Sequence, residues 1–318
     1  MTIDRKLLCC GNISFDVIST GDNKKGELSF QARPGGSVFN IAIQCARLGL
    51  PVSMLTKNAQ DFLGKALLSV MRSENISTTH VVPEKKIKTG LAFARIDKKG
   101  NSSYLFYRAK GEHAAFKQTD LPPTLFRGMD VFHAGSGYSY TDHTFENTLK
   151  LMIRAKRKGL FTTYDPNWRP SRIKNKRKTR ARIKKLIAHA DLLKLSDIDT
   201  LGIFGGKTLS AALGHLPKNT VVTLGSSGSF FWDGKEKIHC PAFRVPVVDT
   251  IGAGDGFTAG LIYRYCLRGK DKFFEEKKEN LAFASAVSSL VCTGMGATEG
   301  LKNIRQVRRF LRENNSSK

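Results

Sequence analysis

Apolar residues recur along the chain at two different spacings, and the two spacings alternate. Short apolar runs that end in polar or glycine residues predict buried strands, and four such runs cover residues 128–137, 159–167, 190–196 and 219–228. Between these runs, apolar residues recur every three to four positions, as they do on one face of a helix. This alternation predicts an α/β fold with a doubly wound, mostly parallel sheet.

The alternation already begins near the N-terminus. Residues 6–18, KLLCCGNISFDVI, are predicted to form a first strand, and residues 35–50, GGSVFNIAIQCARLGL, to form a helix that ends at a glycine. In open parallel sheets, ligands bind at the carboxyl ends of the strands. We therefore expect three polar segments that follow strands to face one crevice: DPNWR, KLS and TLGSSG.

One region departs from this pattern. Residues 88–116 alternate apolar and polar positions about a KKGN turn, which is typical of a β-hairpin. We expect residues 14–33 to add further strands, so that the two insertions form a small β-sheet lid. The chain, residues 1–318, is then a single α/β domain whose lid comes from about residues 14–33 and 88–116.

The composition adds a strong positive charge. Lys and Arg number 52 and Asp and Glu number 27, which gives a net charge of +25 over 318 residues. The densest basic run is RIKNKRKTRARIKK, residues 172–185. We interpret it as a solvated helix face, and the footprint of a polyanion is the alternative. The run offers little aromatic surface for base stacking, so we do not expect nucleic acid as a partner.

Cysteine usage and hydropathy give no indication of secretion or of a membrane. The six cysteines form no CxxC pair and have no histidine at zinc spacing, so we expect reduced, mostly buried thiols and no structural metal. Apolar runs fall short of the ~20 residues of a membrane span, and the four-residue run before Gly11 is too short for a signal peptide. We expect a cytoplasmic protein.

Residues 202–208, GIFGGKT, look like a P-loop but do not meet its spacing. The P-loop motif places four residues between its first glycine and the Gly-Lys-Thr. That first position is Leu201 here, and the segment follows a helical stretch rather than a strand. We therefore reject a P-loop.

Residues 249–260, DTIGAGDGFTAG, place a glycine turn and a carboxylate at the start of an amphipathic helix. Gly252, Ala253 and Gly254 can present successive N–H groups to an anion at the positive end of that helix. We expect the helix dipole to favour ionised Asp255, which makes it a proton acceptor. A base beside an anion site suits phosphoryl transfer to an alcohol. A plain glycine turn with an aspartate at a helix N-terminus is the alternative.

The same segment resembles the C-terminal signature of the ribokinase-like (PfkB-type) carbohydrate kinases. PGGSVFNIAIQCARLG, residues 34–49, resembles the N-terminal signature of that family. The resemblance extends over nearly the whole chain and implies a doubly wound α/β core with a small β lid over the sugar. It implies an ATP-dependent sugar kinase in which Asp255 is the catalytic base and three residues form the anion hole: Gly252, Ala253 and Gly254.

The resemblance also implies which residues bind the sugar. Asp16 matches an aspartate that holds sugar hydroxyls, and the pair Gly35 and Gly36 together with Asn40 matches the family's glycine pair and asparagine. Chemistry supports these matches, because a glycine pair lets hydroxyls approach the backbone and an amide supplies both a donor and an acceptor. A helix cap is the alternative role for Asn40.

Two segments resemble the nucleotide site of the family. TLGSSGS resembles the loop that lines the nucleotide, which assigns three residues to that site: Thr223, Gly225 and Gly228. KLSDID stands where the family usually has an Asn-x-x-Glu motif near the phosphates, which assigns Lys194 and Ser196. Ser196 and Asp199 replace the usual pair, and this departure weakens the expectation of direct metal contact from the segment.

The sugar is indicated by the segments YLFYR, DPNWRP and ADLLKLSDID, which look most like the fructokinase branch. Arg108 and Arg169 are expected to reach the sugar or the phosphate. The 2-keto-3-deoxygluconate kinases share similar elements, in which an arginine binds a carboxylate. That acid is therefore the first alternative to fructose, and ribose or a nucleoside is the second. A structural pair with Asp165 is the alternative role for Arg169, and an exposed lid cation is the alternative for Arg108.

The resemblance implies ATP with Mg²⁺, and a monovalent cation such as K⁺ near the anion hole. Asp249 and the backbone of residues 292–297 are where that cation would bind. Lid strands of the family sometimes pair between subunits, so a homodimer is expected. The non-enzyme alternative is a basic interaction protein on a kinase fold, which the intact Asp255 and the intact glycines oppose.

Overall fold

The computed structural model describes residues 3–22, 27–96, 102–107 and 114–315. Its strands are β1 (Leu7–Cys10), β2 (Ser14–Asp22), β3 (Leu28–Gly35), β4 (Val52–Ala59), β5 (Ile76–Ser77), β6 (Val81–Glu84), β7 (Gly90–Ile96), β8 (Ser102–Tyr107), β9 (Val131–Gly135), β10 (Phe161–Asp165), β11 (Leu192–Ser196), β12 (Thr220–Thr223), β13 (Ser229–Trp232) and β14 (Lys237–Cys240). Its helices are α1 (Ser37–Arg47), α2 (Phe62–Ser73), α3 (Phe145–Arg157), α4 (Lys176–Ile187), α5 (Asp197–Phe204), α6 (Leu209–Leu213), α7 (Ala253–Arg268), α8 (Lys270–Glu275), α9 (Lys277–Val291) and α10 (Ile304–Asn315).

The larger sheet is mostly parallel. Its strand order is β14–β13–β12–β11–β10–β9–β1–β4–β5, and β6 also pairs with β4. The strands from β12 to β5 run parallel, whereas β13 and β14 form an antiparallel edge. The predicted α/β class with a mostly parallel sheet is confirmed.

Helices cover both faces of this sheet, as its apolar strands require. Successive side chains of β1 point to opposite faces, so Leu7 and Cys9 enter one core and Leu8 and Cys10 enter the other. Helices α1, α7 and α9 pack in the first core, and α3 and α4 pack in the second. The arrangement is therefore doubly wound.

The smaller sheet has the order β3–β2–β7–β8. Strands β7 and β8 form the predicted hairpin, and its KKGN turn lies outside the described residues. The prediction of a single strand over residues 6–18 is wrong, because β1 belongs to the larger sheet and β2 to the smaller one. The chain leaves the larger sheet at Gly11, where a Cβ would lie 2.7 Å from Cβ of Val38.

The features outside the sheets agree with the sequence in three respects. The basic run enters α4, whose buried residues are Thr179, Ile183, Leu186 and Ile187 while most of its lysines are exposed. The rejected P-loop segment joins α5 to α6 and follows no strand. All six cysteines are free thiols, five of them buried.

Across the described ranges, no helix is both long enough and apolar enough to cross a membrane.

Candidate active site

The turn before α7 requires glycine at its first position. Gly252 caps the helix with φ of 79°, a left-handed conformation that favours glycine. A Cβ at this position would lie 2.5 Å from Cα of Ala297. The turn is therefore pressed against the segment that follows α9, which fixes where α7 begins.

The helix start offers backbone N–H groups to an anion. The first intrahelical bond runs from Gly256 N to Gly252 O at 2.8 Å, so the amide of Gly254 precedes it. Such amides have no intrahelical acceptor. The amide of Ala253 differs, because it donates to Thr250 O at 3.2 Å. The geometry thus leaves Gly254 better placed than Ala253 to donate to an anion.

Asp255 lies in the first turn of α7, and 8% of it is exposed. Oγ of Ser37 donates to its Oδ1 at 2.7 Å, and Nδ2 of Asn40 donates to its Oδ2 at 2.8 Å. Burial raises the pKa of Asp255 to about 6, although these two hydrogen bonds lower it. The carboxylate is therefore ionised at neutral pH, as expected, although burial brings its pKa closer to neutrality than that of an exposed aspartate.

The glycine pair at the end of β3 packs tightly against β2 and the segment before it. A Cβ on Gly35 would overlap the carboxylate of Asp16. Gly36, with φ of 103°, would place a Cβ 2.7 Å from the carbonyl oxygen of Asn12 and 3.4 Å from Oγ of Ser14. Only a bare backbone fits between these groups.

Several buried polar atoms around this pair have no hydrogen-bond partner in the described part of the chain. They are Nδ2 of Asn12, Oγ of Ser14 and Oδ1 of Asn40. Buried polar groups in native proteins are nearly always paired, so these atoms are suited to a polyhydroxylated ligand. Asn40 is not a helix cap, because Gly36 is the cap of α1 and the amide of Asn40 bonds Asp255. That alternative is wrong.

The strand ends that follow place further polar groups beside the turn. Nζ of Lys194 pairs with Oδ2 of Asp165 at 3.1 Å, and both residues are buried. The alternative that Asp165 pairs with Arg169 is therefore wrong, and Arg169 is exposed after β10. Arg108 lies outside the described residues.

Ser196 and Thr223, two of the residues assigned to the nucleotide, are direct neighbours in the sheet. They pair across the ends of β11 and β12. Ser196 caps α5 and shares a reciprocal capping box with Asp199. Asp199 also accepts from the amide of Trp168 at 2.6 Å. Three donors thus surround the Asp199 carboxylate, which explains why aspartate stands there.

The loop after β12 makes a tight turn. Gly225 and Gly228 both have positive φ, 57° and 94°. A Cβ on Gly228 would overlap the carbonyl oxygen of Cys240. Glycine at position 228 therefore has a packing reason in addition to any contact with a nucleotide.

Asp249 accepts two backbone hydrogen bonds near the turn. Its Oδ1 accepts from Ile251 N at 2.9 Å and its Oδ2 from Gly296 N at 2.8 Å. The residue is buried, and no Lys, Arg or His in the described ranges lies within ion-pair distance of it. A buried carboxylate without a cationic partner is costly, so the position fits a bound cation.

Reasoning from the sequence missed Ser37, Asp165 and Thr258. Ser37 and Asn40 are three positions apart, a spacing that places both on one face of a helix. That spacing within the segment SVFN could have identified Ser37. Nothing in the sequence could have identified the contact of Asp165 with Thr258, because it joins β10 to α7.

Comparison with known proteins gives one consistent result. Residues 4–304 match the pfkB family of carbohydrate kinases. The chain is 33% identical over 260 residues to a fructokinase of Rhizobium leguminosarum bv. trifolii, covering 80% of this chain and 78% of the relative. It is 28% identical over 309 residues to probable fructokinase-2 of Arabidopsis thaliana, covering 94% and 93% of the two chains.

A solved structure agrees over nearly the full length. The crystal structure of fructokinase with bound ATP from Xylella fastidiosa superimposes with a TM-score of 0.89 at 25% identity, covering 98% of this chain and 99% of that one. The matched span includes both signature segments, which converge on Asp255. The chain belongs to the pfkB family of carbohydrate kinases, and it is an ATP-dependent sugar kinase that phosphorylates an alcohol group.

Proposed function

We propose that the sugar is fructose and that Asp255 is the base of the reaction. One observation carries the proposal: the buried carboxylate of Asp255 lies between the glycine turn of α7 and the polar side chains of α1. Unpaired polar atoms surround the glycine pair on the same side. The names of the relatives support fructose over other sugars.

The proton leaves the sugar hydroxyl for the carboxylate. With a pKa of about 6, Asp255 is ionised at neutral pH yet basic enough to accept a proton. Ser37 and Asn40 hold both of its oxygens in place. General-base catalysis of this kind contributes roughly 10²–10⁴-fold in rate.

The phosphoryl group that is transferred lies at the glycine turn in this proposal. The amides of Gly252 and Gly254 and the N-terminus of α7 donate to its oxygens, and Ala253 lines the same turn. Phosphoryl transfer depends mostly on positioning and on fixed charge. A rigid turn that is pressed against Ala297 supplies both.

In this proposal the sugar and the nucleotide bind to different segments of the site. Asp16, Gly35, Gly36 and Asn40 bind the sugar. The nucleotide binds along the ends of β11 and β12, near Lys194, Ser196, Thr223, Gly225 and Gly228. Support comes from the register, which pairs Ser196 with Thr223 and so joins the two segments.

Mg²⁺ enters with the phosphates of ATP. The described residues contain no cluster of three acidic, histidine or cysteine side chains that could hold a metal. Mg²⁺ keeps several waters and commonly binds through substrate phosphates, so ATP supplies its main ligands. A monovalent cation such as K⁺ would bind near Asp249, whose buried carboxylate has no cationic side chain beside it among the residues that the structure describes.

A second candidate substrate is 2-keto-3-deoxygluconate. Arg169 favours it, because this exposed arginine follows the carboxyl end of β10 and is not used by Asp165. A guanidinium binds a carboxylate in a bidentate geometry. With fructose, Arg169 has no carboxylate to bind.

A homodimer through the smaller sheet is also part of the proposal. Four large apolar side chains of this sheet are exposed: Leu28, Phe30, Leu105 and Tyr107. Exposed apolar patches of this kind mark interaction sites. Light scattering at micromolar concentration checks the assembly, and a monomer mass would contradict it.

ADP release with Mg²⁺ and ATP tests the substrate. The panel contains fructose, 2-keto-3-deoxygluconate, ribose, tagatose and adenosine, each in K⁺ buffer. We expect the highest kcat/KM with fructose. A preference for the keto-deoxy acid that Arg169→Ala abolishes would replace fructose by the second candidate. No turnover with any of the five would contradict both.

A further inference from the structure

A buried hydrogen-bonded cluster lies beneath the glycine turn. Asp165 is the last residue of β10, and its Oδ2 accepts from Nζ of Lys194 at 3.1 Å and from Oγ1 of Thr258 at 3.0 Å. All three residues are buried. One carboxylate oxygen therefore joins β10, β11 and α7.

The cluster touches the turn at two points. Oγ1 of Thr258 lies 3.1 Å from the carbonyl oxygen of Gly254, one helical turn earlier. A Cβ built on Gly254 would lie 3.0 Å from Nζ of Lys194. The ammonium group is thus directly beside Gly254, whose amide is better placed than that of Ala253 to donate to an anion.

Asp165 is itself held firmly. Its Oδ1 accepts from the amide of Asn167 at 3.0 Å, so both oxygens have partners. A buried ion pair costs free energy to desolvate. Once every polar atom is paired, however, a buried ion pair keeps its groups in one arrangement. Its fixed charges also act strongly on neighbouring groups, because the protein interior has a low dielectric constant.

We propose that Asp165 and Thr258 are positioning residues of the phosphoryl transfer. Asp165 holds the Lys194 ammonium beneath Gly254 and, through Thr258, fixes the first turn of α7, so that the anion hole and the base keep one geometry. This inference rests on the proposed role of the turn and of Asp255. It adds two residues that do not touch the substrate.

The charges around Asp255 give the proposal a signature in pH. The negative charge of Asp165 raises the pKa of Asp255 and the positive charge of Lys194 lowers it. The hydrogen-bond partners of Asp255 from α1, Ser37 and Asn40, are neutral. The residues nearest to the adjacent Gly256 are neutral as well: Gln44 from α1, and Ser288 and Val291 from α9. Removing the negative charge of Asp165 should therefore shift the acid limb of the pH profile to lower pH. Removing the positive charge of Lys194 should shift it to higher pH.

The test compares Thr258→Val with Thr258→Ser in the full-length protein, with fructose and Mg²⁺-ATP as substrates. Thr258→Val is expected to lower kcat about tenfold, the size of one buried hydrogen bond, with the fructose KM within about twofold of wild type. Thr258→Ser keeps the hydroxyl and is expected to restore kcat. The matched control is Thr148→Val, because Thr148 is buried in α3 and its Oγ1, like that of Thr258, lies near the carbonyl oxygen four residues back, which here is Thr144 O at 3.0 Å.

Two charge variants give the second readout. Asp165→Asn is expected to move the acid limb of kcat/KM to lower pH, and Lys194→Met to move it to higher pH. Acid limbs that stay in place in both variants would show that the pair does not act on Asp255, and the proposed coupling of the cluster to the base would be wrong. If Asp165→Asn does not fold, the comparison of Thr258→Val with Thr148→Val decides alone.

A kcat of Thr258→Val equal to that of Thr148→Val would overturn the positioning role. Wild type is assayed in parallel, and its normal turnover of fructose would leave the fructokinase proposal standing in that case. The two failures are therefore distinguishable.

Discussion

Nδ2 of Asn40 donates a 2.8 Å hydrogen bond to Oδ2 of Asp255, although the two residues are 215 positions apart in the chain. Asn40 is on α1 and Asp255 is on α7, and the two helices pack in the same core. The bond joins the segment assigned to the sugar with the segment assigned to the phosphoryl group. If Asp255 is the base, as proposed, this bond orients it from the side on which the sugar is proposed to bind.

The pH dependence of turnover follows from the burial of Asp255. Its pKa lies near 6 rather than at the ordinary 3.8, and the base must be ionised to act. We expect kcat/KM to fall about tenfold per pH unit below pH 6. The measurement is a pH profile at saturating Mg²⁺, which displaces the titration of the ATP phosphates to lower pH. An acid limb of kcat/KM near pH 4 would show that burial does not raise the pKa of Asp255.

The same shift predicts a change in stability. Because the folded-state pKa is raised, ionised Asp255 costs stability: its contribution is intact below pH 4 and is lost as the pH rises through about 6. Two pKa units correspond to about 3 kcal/mol. Asp255→Asn is therefore expected to raise the free energy of unfolding at pH 7.5 by up to about 3 kcal/mol.

Urea denaturation at pH 7.5 and pH 4 measures this difference. The gain of Asp255→Asn over wild type should shrink at pH 4, where the wild-type carboxyl group is protonated in the folded state. An equal difference at both pH values would show that the ionised carboxylate is not the cause.

Gly252 is predicted to tolerate no side chain. Its φ of 79° and the 2.5 Å approach of Cα of Ala297 both oppose alanine. Gly252→Ala should lower the free energy of unfolding by at least about 2 kcal/mol and should lower kcat as well. Gly214→Ala is the matched control, because Gly214 has φ of −64° and open space around its Cβ position. We expect that control to be neutral or to stabilise by about 0.4–1 kcal/mol.

Asp249 is predicted to make turnover depend on a monovalent cation. Its buried charge receives two backbone hydrogen bonds and no ion pair in the described ranges. Replacing K⁺ by a bulky organic cation at constant ionic strength should lower kcat, and Asp249→Asn should remove most of this response. The same kcat in both buffers would show that no such cation is needed.

The sequence was sufficient for the fold class and for the residues around the turn. Short apolar runs identified β9 to β12, and glycine spacing identified the turn at Gly252. It did not separate β1 from β2, because both are apolar and the break at Gly11 depends on contact with Val38. Sequence patterns carry no signal for contacts between distant segments, and this is why the contact of Asp165 with Thr258 was missed.

The sequence also could not predict the surroundings of individual side chains in the folded protein. The sequence suggested an ionised Asp255, which a pKa of about 6 allows at neutral pH, but it could not show that burial by the packed neighbours raises that pKa. Arg169 and Asp165 are near each other in the sequence, which suggested a pair. The fold instead brings Lys194 from the neighbouring strand to Asp165.

The central claim is that Asp255 is the base of a fructokinase. The most direct test is the kcat of Asp255→Asn with saturating fructose and Mg²⁺-ATP, measured as ADP release beside wild type. We predict a loss of roughly 10²–10⁴-fold, with fructose binding retained because the amide keeps the size of the carboxylate. A kcat within a few-fold of wild type would contradict the claim.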